Sequence, residues 1–355
     1  MKEKEGEMSA SQAIHKIFLP GLMIMLLMLG CDQSTAPTTA SQSLTPLSTQ
    51  LATQTGIQSQ TTAFSQSPTP GAASPTASSV QAIPAGEQER KLSFDGQERS
   101  YILHVPPNYD PGQPVPLVLA FHGFSLNSGE MMRISGFSDL ADKEKFLVAY
   151  PEGSGTRQSW NGGECCGEAA MKKVDDVGFT RAIIADLAKI VNLDRSRVYA
   201  TGFSNGAIMV YRLACDLSDQ IAAIGPVGAT PATESCSPSR PVPVIHFHGD
   251  ADALNPYAGG VSKGGLEFMS VDEGIAMWVK LNGCPQQAQE DQSGSIVHRV
   301  YASCRENSAV ELYKILGGEH AWPGGEAVTV QVGEPTEELD ASEVMWKFFM
   351  KHAKN

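Results

Sequence analysis

The sequence has little positive charge for its length. Its 355 residues include 26 lysines and arginines against 39 aspartates and glutamates, which gives a formal net charge of −13. Nucleic acids and anionic membranes attract basic surfaces because their phosphate groups are negative. The charge balance therefore argues against a nucleic-acid partner and against a basic stripe that would bind an anionic membrane.

Long apolar runs are also scarce, and the longest lies near the N-terminus. His15 and Lys16 precede an apolar stretch over residues 17–30. This stretch is shorter than the roughly 20 residues that span a bilayer, and it fits the apolar region of a signal peptide. It ends in Gly30-Cys31, which resembles a bacterial lipobox. We predict a signal peptide over residues 1–31 with lipid attached to Cys31; cleavage of an ordinary signal peptide nearby is the alternative.

Charged residues are absent between Gln33 and Gly86. This segment consists mainly of Ser, Thr, Gln, Ala and Pro, which bury too little apolar surface to offset the entropy lost on ordering. We predict a disordered linker over residues 32–86 and a folded domain over residues 87–355. The expected location is outside the cytoplasm, either secreted or anchored by lipid to the outer face of a bacterial membrane, with the lipid as the only membrane contact.

The cysteines lack the C-x-x-C spacing that is common in zinc sites. Six of them follow the predicted lipobox, and an even number in an exported chain favours disulfides. Cys165 and Cys166 are adjacent and either form a vicinal bridge or stay reduced. The remaining four are expected to pair with their nearest neighbours in sequence, as Cys215–Cys236 and Cys284–Cys304.

Strand-like and helix-like segments alternate along the predicted domain. Residues 115–121 form a nearly continuous apolar run, which is typical of a strand buried on both faces of a parallel sheet. Strands are predicted over 99–105, 115–121, 146–150, 197–201, 222–227, 242–247 and 310–315, and helices over 137–145, 177–191, 207–214, 271–281 and 341–351. Asp175 or Asp176 is a suitable N-cap for the second helix. This alternation predicts an α/β fold with a mostly parallel central sheet flanked by helices.

The segment Gly202-Phe203-Ser204-Asn205-Gly206 lies between a predicted strand and a predicted helix. A G-x-S-x-G pattern in this context predicts a nucleophile elbow, in which a sharp turn exposes the serine. The turn also places Ser204 at a helix N-terminus, where backbone N–H groups and the helix dipole favour developing negative charge. The alternative is a glycine-rich turn with a serine that faces solvent.

A serine nucleophile requires a base, an acid that orients the base, and an oxyanion hole. In this architecture the acid and then the histidine follow the serine in sequence, each just after a strand. Asp252 follows the predicted strand 242–247 and His320 follows 310–315. The backbone N–H groups of Phe124 and Asn205 are predicted to form the oxyanion hole. Each residue alone could be an ordinary loop residue, but their order favours a catalytic site.

Two further features have competing interpretations. Trp160 and Trp322 either line the acyl or sugar site or pack in the core. His246, His248 and Asp250 alternate along a predicted strand, so that both histidines share one face, as metal ligands would. The same histidines can instead be buried and hydrogen-bonded within the fold. We favour the second interpretation and predict no metal.

Six stretches together are similar to the polyhydroxybutyrate depolymerase/feruloyl esterase family of secreted α/β-hydrolases. They are Phe121-His-Gly123, Trp160-Asn161 with Cys165-Cys-Gly167, Val174-Asp-Asp-Val-Gly-Phe179, Gly202-Phe-Ser-Asn-Gly206, His246-Phe-His-Gly-Asp-Ala-Asp252 and Gly318-Glu-His-Ala-Trp-Pro-Gly-Gly325. The resemblance covers about residues 91–352. It implies an α/β-hydrolase fold and hydrolysis of carboxylic esters without a metal or organic cofactor.

The resemblance also implies Ser204 as the nucleophile, Asp252 as the acid and His320 as the base. Asp250 occupies a position where the family often has a small or hydroxylated residue, so Asp250 competes with Asp252 as the acid. We expect a monomeric extracellular esterase of the feruloyl or acetyl-xylan type. One alternative is a polyhydroxybutyrate depolymerase, and a second is a non-catalytic lipoprotein that binds polysaccharide.

Overall fold

A ten-stranded sheet organises the described part of the chain, which a computed structural model covers over residues 83–233, 235–263, 265–328 and 333–354. The predicted signal peptide, Cys31 and nearly all of the predicted linker lie outside the described residues. The strands are Gly86–Phe94 (β1), Gln97–Val105 (β2), Val115–Phe121 (β3), Leu147–Pro151 (β4), Leu193–Phe203 (β5), Ile224–Val227 (β6), Val244–Gly249 (β7), Gly260–Val261 (β8), Glu267–Phe268 (β9), Gln289–Ser293 (β10), Ile296–Tyr301 (β11) and Val310–Ile315 (β12).

The large sheet has the order β1-β2-β4-β3-β5-β6-β7-β12-β11-β10, and β8 and β9 form a separate hairpin. The six central strands, from β4 to β12, are parallel. Antiparallel pairing adds β2 and β1 at one edge and β11 and β10 at the other. This arrangement confirms the predicted fold class.

Helices cover both faces of the sheet. They are Ser128–Ser135 (α1), Phe137–Glu144 (α2), Gly167–Met171 (α3), Asp176–Ile190 (α4), Asn205–Asp216 (α5), Val271–Leu281 (α6) and Ala341–Phe349 (α7). Helices α4, α5 and α6 contribute to the core on one face, and α1, α2 and α7 contribute to the core on the other. No helix within the described ranges combines the length and apolar character needed to cross a bilayer.

Strand β3 shows why a strand buried on both faces can be apolar throughout. Its seven residues are all buried. Leu117, Leu119 and Phe121 pack into one core and Val118 and Ala120 into the other, because successive side chains of a strand point to opposite faces. Strand β3, which has helices on both sides, therefore carries no polar face.

The edges of the sheet differ from the sequence-based prediction. The prediction did not include strand β1, helix α1 or the β10–β11 hairpin. Strand β10 is exposed at every position, and β1 alternates between partly buried and exposed residues. Such polar segments lack the apolar pattern that marks a buried strand. Residues 154–173, where the sequence predicted no helix, contain the short helix α3.

Three disulfides lie in the described ranges. Their partners are Cys165–Cys166, Cys215–Cys236 and Cys284–Cys304. The last two link residues that are 21 and 20 positions apart. Cys165 and Cys166, for which the sequence left two interpretations open, form a disulfide with each other.

Candidate active site

Ser204 lies in the turn between β5 and α5. Its backbone has φ 55° and ψ −119°, a conformation that non-glycine residues rarely adopt, and its N–H donates to the Val227 carbonyl over 2.9 Å. The turn requires small neighbours. A Cβ atom added to Gly202 would lie 2.5 Å from the Gly206 carbonyl group, and one added to Gly206 would lie 2.1 Å from the Phe121 carbonyl oxygen. The two glycines of the motif therefore permit the elbow.

His320 and Asp252 form a buried pair. Nδ1 of His320 lies 2.6 Å from Oδ2 of Asp252, and each residue is 4% exposed. The other oxygen of Asp252, Oδ1, accepts hydrogen bonds from the backbone N–H groups of Leu254 and Asn255, each over 2.8 Å. Burial by itself raises the pKa of the Asp252 carboxyl. The contacts with His320, with His248 and with the Asn255 N–H outweigh burial and hold that pKa below its ordinary value, so the carboxylate stays ionised.

Asp250, the competing candidate acid, is directed elsewhere. Its Oδ1 accepts from the Gly317 N–H over 2.6 Å, and its Oδ2 lies 3.4 Å from Nζ of Lys314. One intervening residue, Ala251, in the turn after β7 is enough to direct the two carboxylates apart. Asp252 is the aspartate that contacts His320.

Ser204 and His320 both border one cavity of about 400 Å³. The imidazole of His320 packs against Phe203, with 4.8 Å between ring centroids. The remaining wall is mostly apolar and includes Phe124, Leu126, Ile208, Leu254, Leu266 and Phe268. Such a cavity suits a substrate with an apolar group next to the atom that Ser204 would attack.

Phe124 and Asn205, the predicted oxyanion donors, border the same cavity. The loop that carries Phe124 passes close to the nucleophile, since a Cβ atom added to Gly123 would lie 3.4 Å from Cβ of Ser204. No described residue accepts a hydrogen bond from the backbone N–H of Phe124 or Asn205. Both N–H groups are therefore available to a ligand.

The side chain of Asn205 holds the loop that contains Trp160. Its Oδ1 accepts from the Trp160 N–H over 2.7 Å, and its Nδ2 donates to the Trp160 carbonyl over 3.2 Å. The next residue of that loop is held as well, because the Asn161 N–H donates to Oδ2 of buried Asp176 over 2.8 Å. Asp176 also pairs with Arg99 over 2.9 Å. Asp175, rather than Asp176, caps α4.

The interpretation of the two tryptophans as substrate-lining residues requires correction. Both are at most 1% exposed, and neither borders the cavity that contains Ser204. Nε1 of Trp160 donates to the His122 carbonyl over 2.9 Å, and Nε1 of Trp322 donates to Oγ of Ser342 over 3.1 Å. A buried indole needs such an internal acceptor. Both tryptophans pack in the core.

His122 is likewise structural. Its Nδ1 lies 2.8 Å from the Gly123 carbonyl, which it donates to, and its Nε2 accepts from the Gly153 N–H over 3.0 Å. Burial lowers the pKa of this imidazole and keeps it neutral. These two bonds fix the turn that presents Phe124 to the cavity.

Several wall residues were missed by the sequence analysis. Cys166 borders the cavity, and a Cβ atom added to the adjacent Gly167 would lie 2.6 Å from the ring of Phe124. Leu254, Leu266 and Phe268 come from the segment after β7 and around β9. These three residues are apolar although they follow β7, the strand that precedes Asp252, and this is the sequence signal that could have identified them.

His246 and His248 are bonded within the protein rather than arranged around a metal. Oη of Tyr211 lies 2.8 Å from Nδ1 of His246, and Nε2 of His246 lies 3.1 Å from Nδ1 of His248. Within the described ranges, no three potential metal-ligating side chains come together. This part of the structure gives the metal hypothesis no support.

The mostly parallel sheet, the turn that carries Ser204 and the loops that carry Asp252 and His320 define an α/β-hydrolase. A solved structure with the same fold is an acetyl xylan esterase from Aspergillus awamori. It superposes with a TM-score of 0.54 at 13% sequence identity, over 74% of this chain and 99% of that one. At this identity the likeness shows the fold alone.

Residues 99–253 match the family described as esterase PHB depolymerase. Feruloyl esterase B of Piromyces equi is 31% identical over 234 residues, which are 63% of this chain and 42% of that protein. This chain thus spans less than half of that relative. The putative esterase NocK of Nocardia uniformis subsp. tsuyamanensis is 28% identical over 289 residues, 73% of this chain and 83% of the relative. Residues 99–253, somewhat less than half of the chain, are thus similar to this esterase family.

Proposed function

We propose that the protein is an extracellular serine esterase that hydrolyses carboxylic esters through an acyl-enzyme. Ser204 is the nucleophile, His320 the base and Asp252 the acid that orients His320. The observation that carries the proposal is the 2.6 Å contact between His320 and Asp252, in a protein where Ser204 and His320 border one cavity. A nucleophile, a base and an orienting acid are the parts that acyl transfer requires.

The proposed reaction has two half-reactions. His320 takes the hydroxyl proton of Ser204 as the serine oxygen attacks the ester carbonyl. The N–H groups of Phe124 and Asn205 donate to the resulting oxyanion, and His320 then gives its proton to the departing alcohol. In the second half, water loses a proton to His320 and attacks the acyl-enzyme, and the acid leaves as Ser204 recovers its proton. Loss of one oxyanion donor would lower kcat by about 10²–10³.

Esters of plant cell-wall polysaccharide, of the feruloyl or acetyl-xylan type, are the proposed substrates. Relatives of the chain include proteins named feruloyl esterase and acetylxylan esterase/xylanase. A cavity of about 400 Å³ with Phe124 and Phe268 in its wall has room for an aromatic acyl group, whereas an acetyl group would leave most of it empty. The structure therefore favours the aromatic acyl group over acetyl.

A polyester substrate is the second candidate. Leu254 and Leu266 border the cavity and are 37% and 41% exposed, so apolar surface continues from the cavity to the outside of the protein. An apolar polyester chain could contact that surface as it enters. Polysaccharide would present mainly hydroxyl groups to the same leucines.

An extracytoplasmic location is supported by three disulfides, because such bonds persist in oxidising compartments. The proposed signal peptide and the proposed lipid on Cys31 agree with this location. The proposed enzyme acts as a monomer without a cofactor.

Hydrolysis of a panel of esters tests the proposed function. The panel comprises p-nitrophenyl acetate, p-nitrophenyl butyrate, methyl ferulate, acetylated xylan and a soluble hydroxybutyrate oligomer. We expect turnover of methyl ferulate above that of the acetyl esters. The Ser204→Ala variant should keep its circular dichroism spectrum and lose at least about 10³-fold in kcat. Turnover by Ser204→Ala equal to that of the wild type would refute the mechanism, and preference for the oligomer would favour the polyester alternative.

A further inference from the structure

Two polar side chains in the wall of the cavity that Ser204 and His320 border have no part in the mechanism described so far. Five polar residues border this cavity, and Ser204, His320 and Asn205 already have roles. The other two are Asn255 and Ser262, which are 6% and 8% exposed. A polar group that is buried in a mostly apolar wall is unfavourable unless it has a hydrogen-bond partner.

The carboxamide of Asn255 has no such partner in the described part of the chain. The hydrogen bonds of Asn255 there are made by its backbone: its N–H donates to Oδ1 of Asp252 over 2.8 Å, and its carbonyl accepts from Nε2 of His248 over 2.8 Å. The side-chain oxygen, Oδ1, is buried and unpaired. Native proteins pair the great majority of their buried polar groups. An unpaired amide in the wall of a reactive cavity therefore indicates a group that binds substrate.

Ser262 contributes a hydroxyl group to the same wall. Its N–H donates to the Leu266 carbonyl over 2.8 Å, and its Oγ accepts from the Leu266 N–H over 3.2 Å. Among the described residues, no acceptor takes the hydrogen of this hydroxyl. Asn255 and Ser262 together thus offer a ligand both donors and an acceptor.

The backbone of Asn255 fixes this residue near the base. Asp252 accepts from Asn255 through Oδ1, and its Oδ2 lies 2.6 Å from Nδ1 of His320. In the proposed reaction His320 gives a proton to the departing alcohol, so the alcohol part of the ester has to lie beside His320. Asn255 is therefore on the alcohol side of the cavity. The apolar wall around Phe124 and Ile208 is left for the acyl group.

We propose that Asn255, assisted by Ser262, determines specificity for the alcohol part of the ester, which is a sugar bound through its hydroxyl groups. The inference rests on the proposed function and deepens it, because it assigns the leaving group. A sugar hydroxyl both donates and accepts, and a carboxamide offers it both kinds of partner. An alcohol without hydroxyl groups leaves the amide unpaired, which is how a hydrogen-bonding site discriminates against such an analogue.

The same amide bears on the polyester alternative. The units of a hydroxybutyrate chain next to the cleaved bond carry ester oxygens, which accept hydrogen bonds and donate none. Oδ1 of Asn255 would stay unpaired beside such a chain. The polar end of the cavity therefore favours a sugar over a polyester, although the apolar surface at Leu254 and Leu266 suits both.

The test compares two esters that share the feruloyl group. One is the ferulate of the primary hydroxyl of methyl arabinofuranoside, which keeps its free ring hydroxyl groups. The other is cyclopentylmethyl ferulate, which has a ring of the same size and the same linkage but no hydroxyl group. We expect the wild type to have a kcat/KM at least about tenfold higher for the sugar ester, the effect of one or more hydrogen bonds. Equal values would overturn the inference.

Variants of Asn255 test whether this residue causes the preference. Asn255→Leu replaces the amide by an apolar group of similar shape, and Asn255→Ala removes it and leaves space. Both should lower the ratio of the two kcat/KM values about tenfold, and Ser262→Ala about threefold. Ile208→Val is the control, because it changes the apolar wall of the same cavity and should leave the ratio as it is in the wild type.

A binding measurement provides a readout that is independent of turnover. Calorimetric titration of Ser204→Ala with each ester gives two dissociation constants. Adding Asn255→Leu to that variant should reduce the preference for the sugar ester about tenfold. An unchanged preference would overturn the inference.

The acyl side of the cavity is tested with methyl ferulate and methyl cinnamate, which differ in the substituents of the aromatic ring. If Asn255→Leu changes the ratio of these two esters and keeps the ratio of the two alcohols, the amide binds the acyl group and the inference is wrong. We expect the reverse result.

The two proposals can fail separately. A folded wild type that hydrolyses neither ferulate contradicts the proposed function. A wild type that hydrolyses both, with a ratio that Asn255→Leu and Asn255→Ala leave unchanged, contradicts only the role of Asn255. Thermal melting of each variant, with a transition as cooperative as in the wild type, ensures that folded proteins are compared.

Discussion

At the scale of single residues, two aspartates separated by one residue have different environments. Asp252 is buried, contacts His320 and accepts two backbone hydrogen bonds, whereas Asp250 is partly exposed beside Lys314. The sequence could not separate them, because both follow β7 and both can occupy a turn. Their side-chain directions depend on how the turn after Gly249 closes, which is a property of the folded loop.

This difference predicts unequal effects of two matched substitutions. Asp252→Asn should lower kcat by about 10⁴, because an asparagine no longer selects the productive tautomer of His320. Asp250→Asn should stay within about threefold of the wild type, since an exposed ion pair contributes little. Steady-state kinetics with p-nitrophenyl butyrate measure both. A larger loss for Asp250→Asn than for Asp252→Asn would reassign the acid.

Aromatic residues show a further limit of prediction from sequence. Trp160 and Trp322 flank motif residues, and nothing in the sequence distinguishes an indole that faces a substrate from one that faces the core. The structure distinguishes them through the acceptors of their N–H groups, the His122 carbonyl and Ser342. These partners are distant in sequence, so the contacts emerge only in the fold.

At the scale of elements, the elbow depends on the close approach of two chain segments. The Cα atom of Gly206 faces the end of β3, where a Cβ atom would lie 2.1 Å from the Phe121 carbonyl oxygen. The backbone of Phe121 cannot move away from an added Cβ atom in the way that a flexible side chain could. The requirement for glycine at this position is therefore steric, and the sequence pattern predicted it correctly.

Gly206→Ala should consequently destabilise the protein. We expect the free energy of unfolding to fall by about 2–3 kcal/mol, the upper part of the range for overpacking. Gly129→Ala in α1 is the control, because its added Cβ would have a nearest contact of 3.4 Å, and its change should stay within about 0.5 kcal/mol. Urea unfolding followed by circular dichroism measures both. Equal stability of the two variants would show that the elbow can relax, contrary to this account.

The parallel strands could be predicted because burial on both faces makes β3, β4 and the second half of β5 largely apolar. The edge hairpins could not, since β10 is wholly exposed and carries no apolar alternation. For the loops that carry the site residues, the sequence predicted the strands that precede them but not how the loops fold. The cavity wall from Leu254 to Phe268 depends on how that segment folds back, which no local pattern in the sequence specifies.

At the scale of the whole molecule, the carboxyl ends of four parallel strands bring distant residues together. Phe124 follows β3, Ser204 follows β5, Asp252 follows β7 and His320 follows β12. Parallel strands place these ends at one edge of the sheet, where ligands of open α/β sheets bind. The order of the site along the chain was therefore predictable, although the shape of the cavity was not.

The central claim is that Ser204, among all serines of the chain, is an activated nucleophile. The most direct measurement is covalent labelling of the purified protein with a fluorophosphonate, followed by peptide mass spectrometry. We predict one label per chain, located on the peptide that contains Ser204, and no label on Ser204→Ala. An unlabelled wild type that is fully folded, or a label located on another serine, would contradict the account.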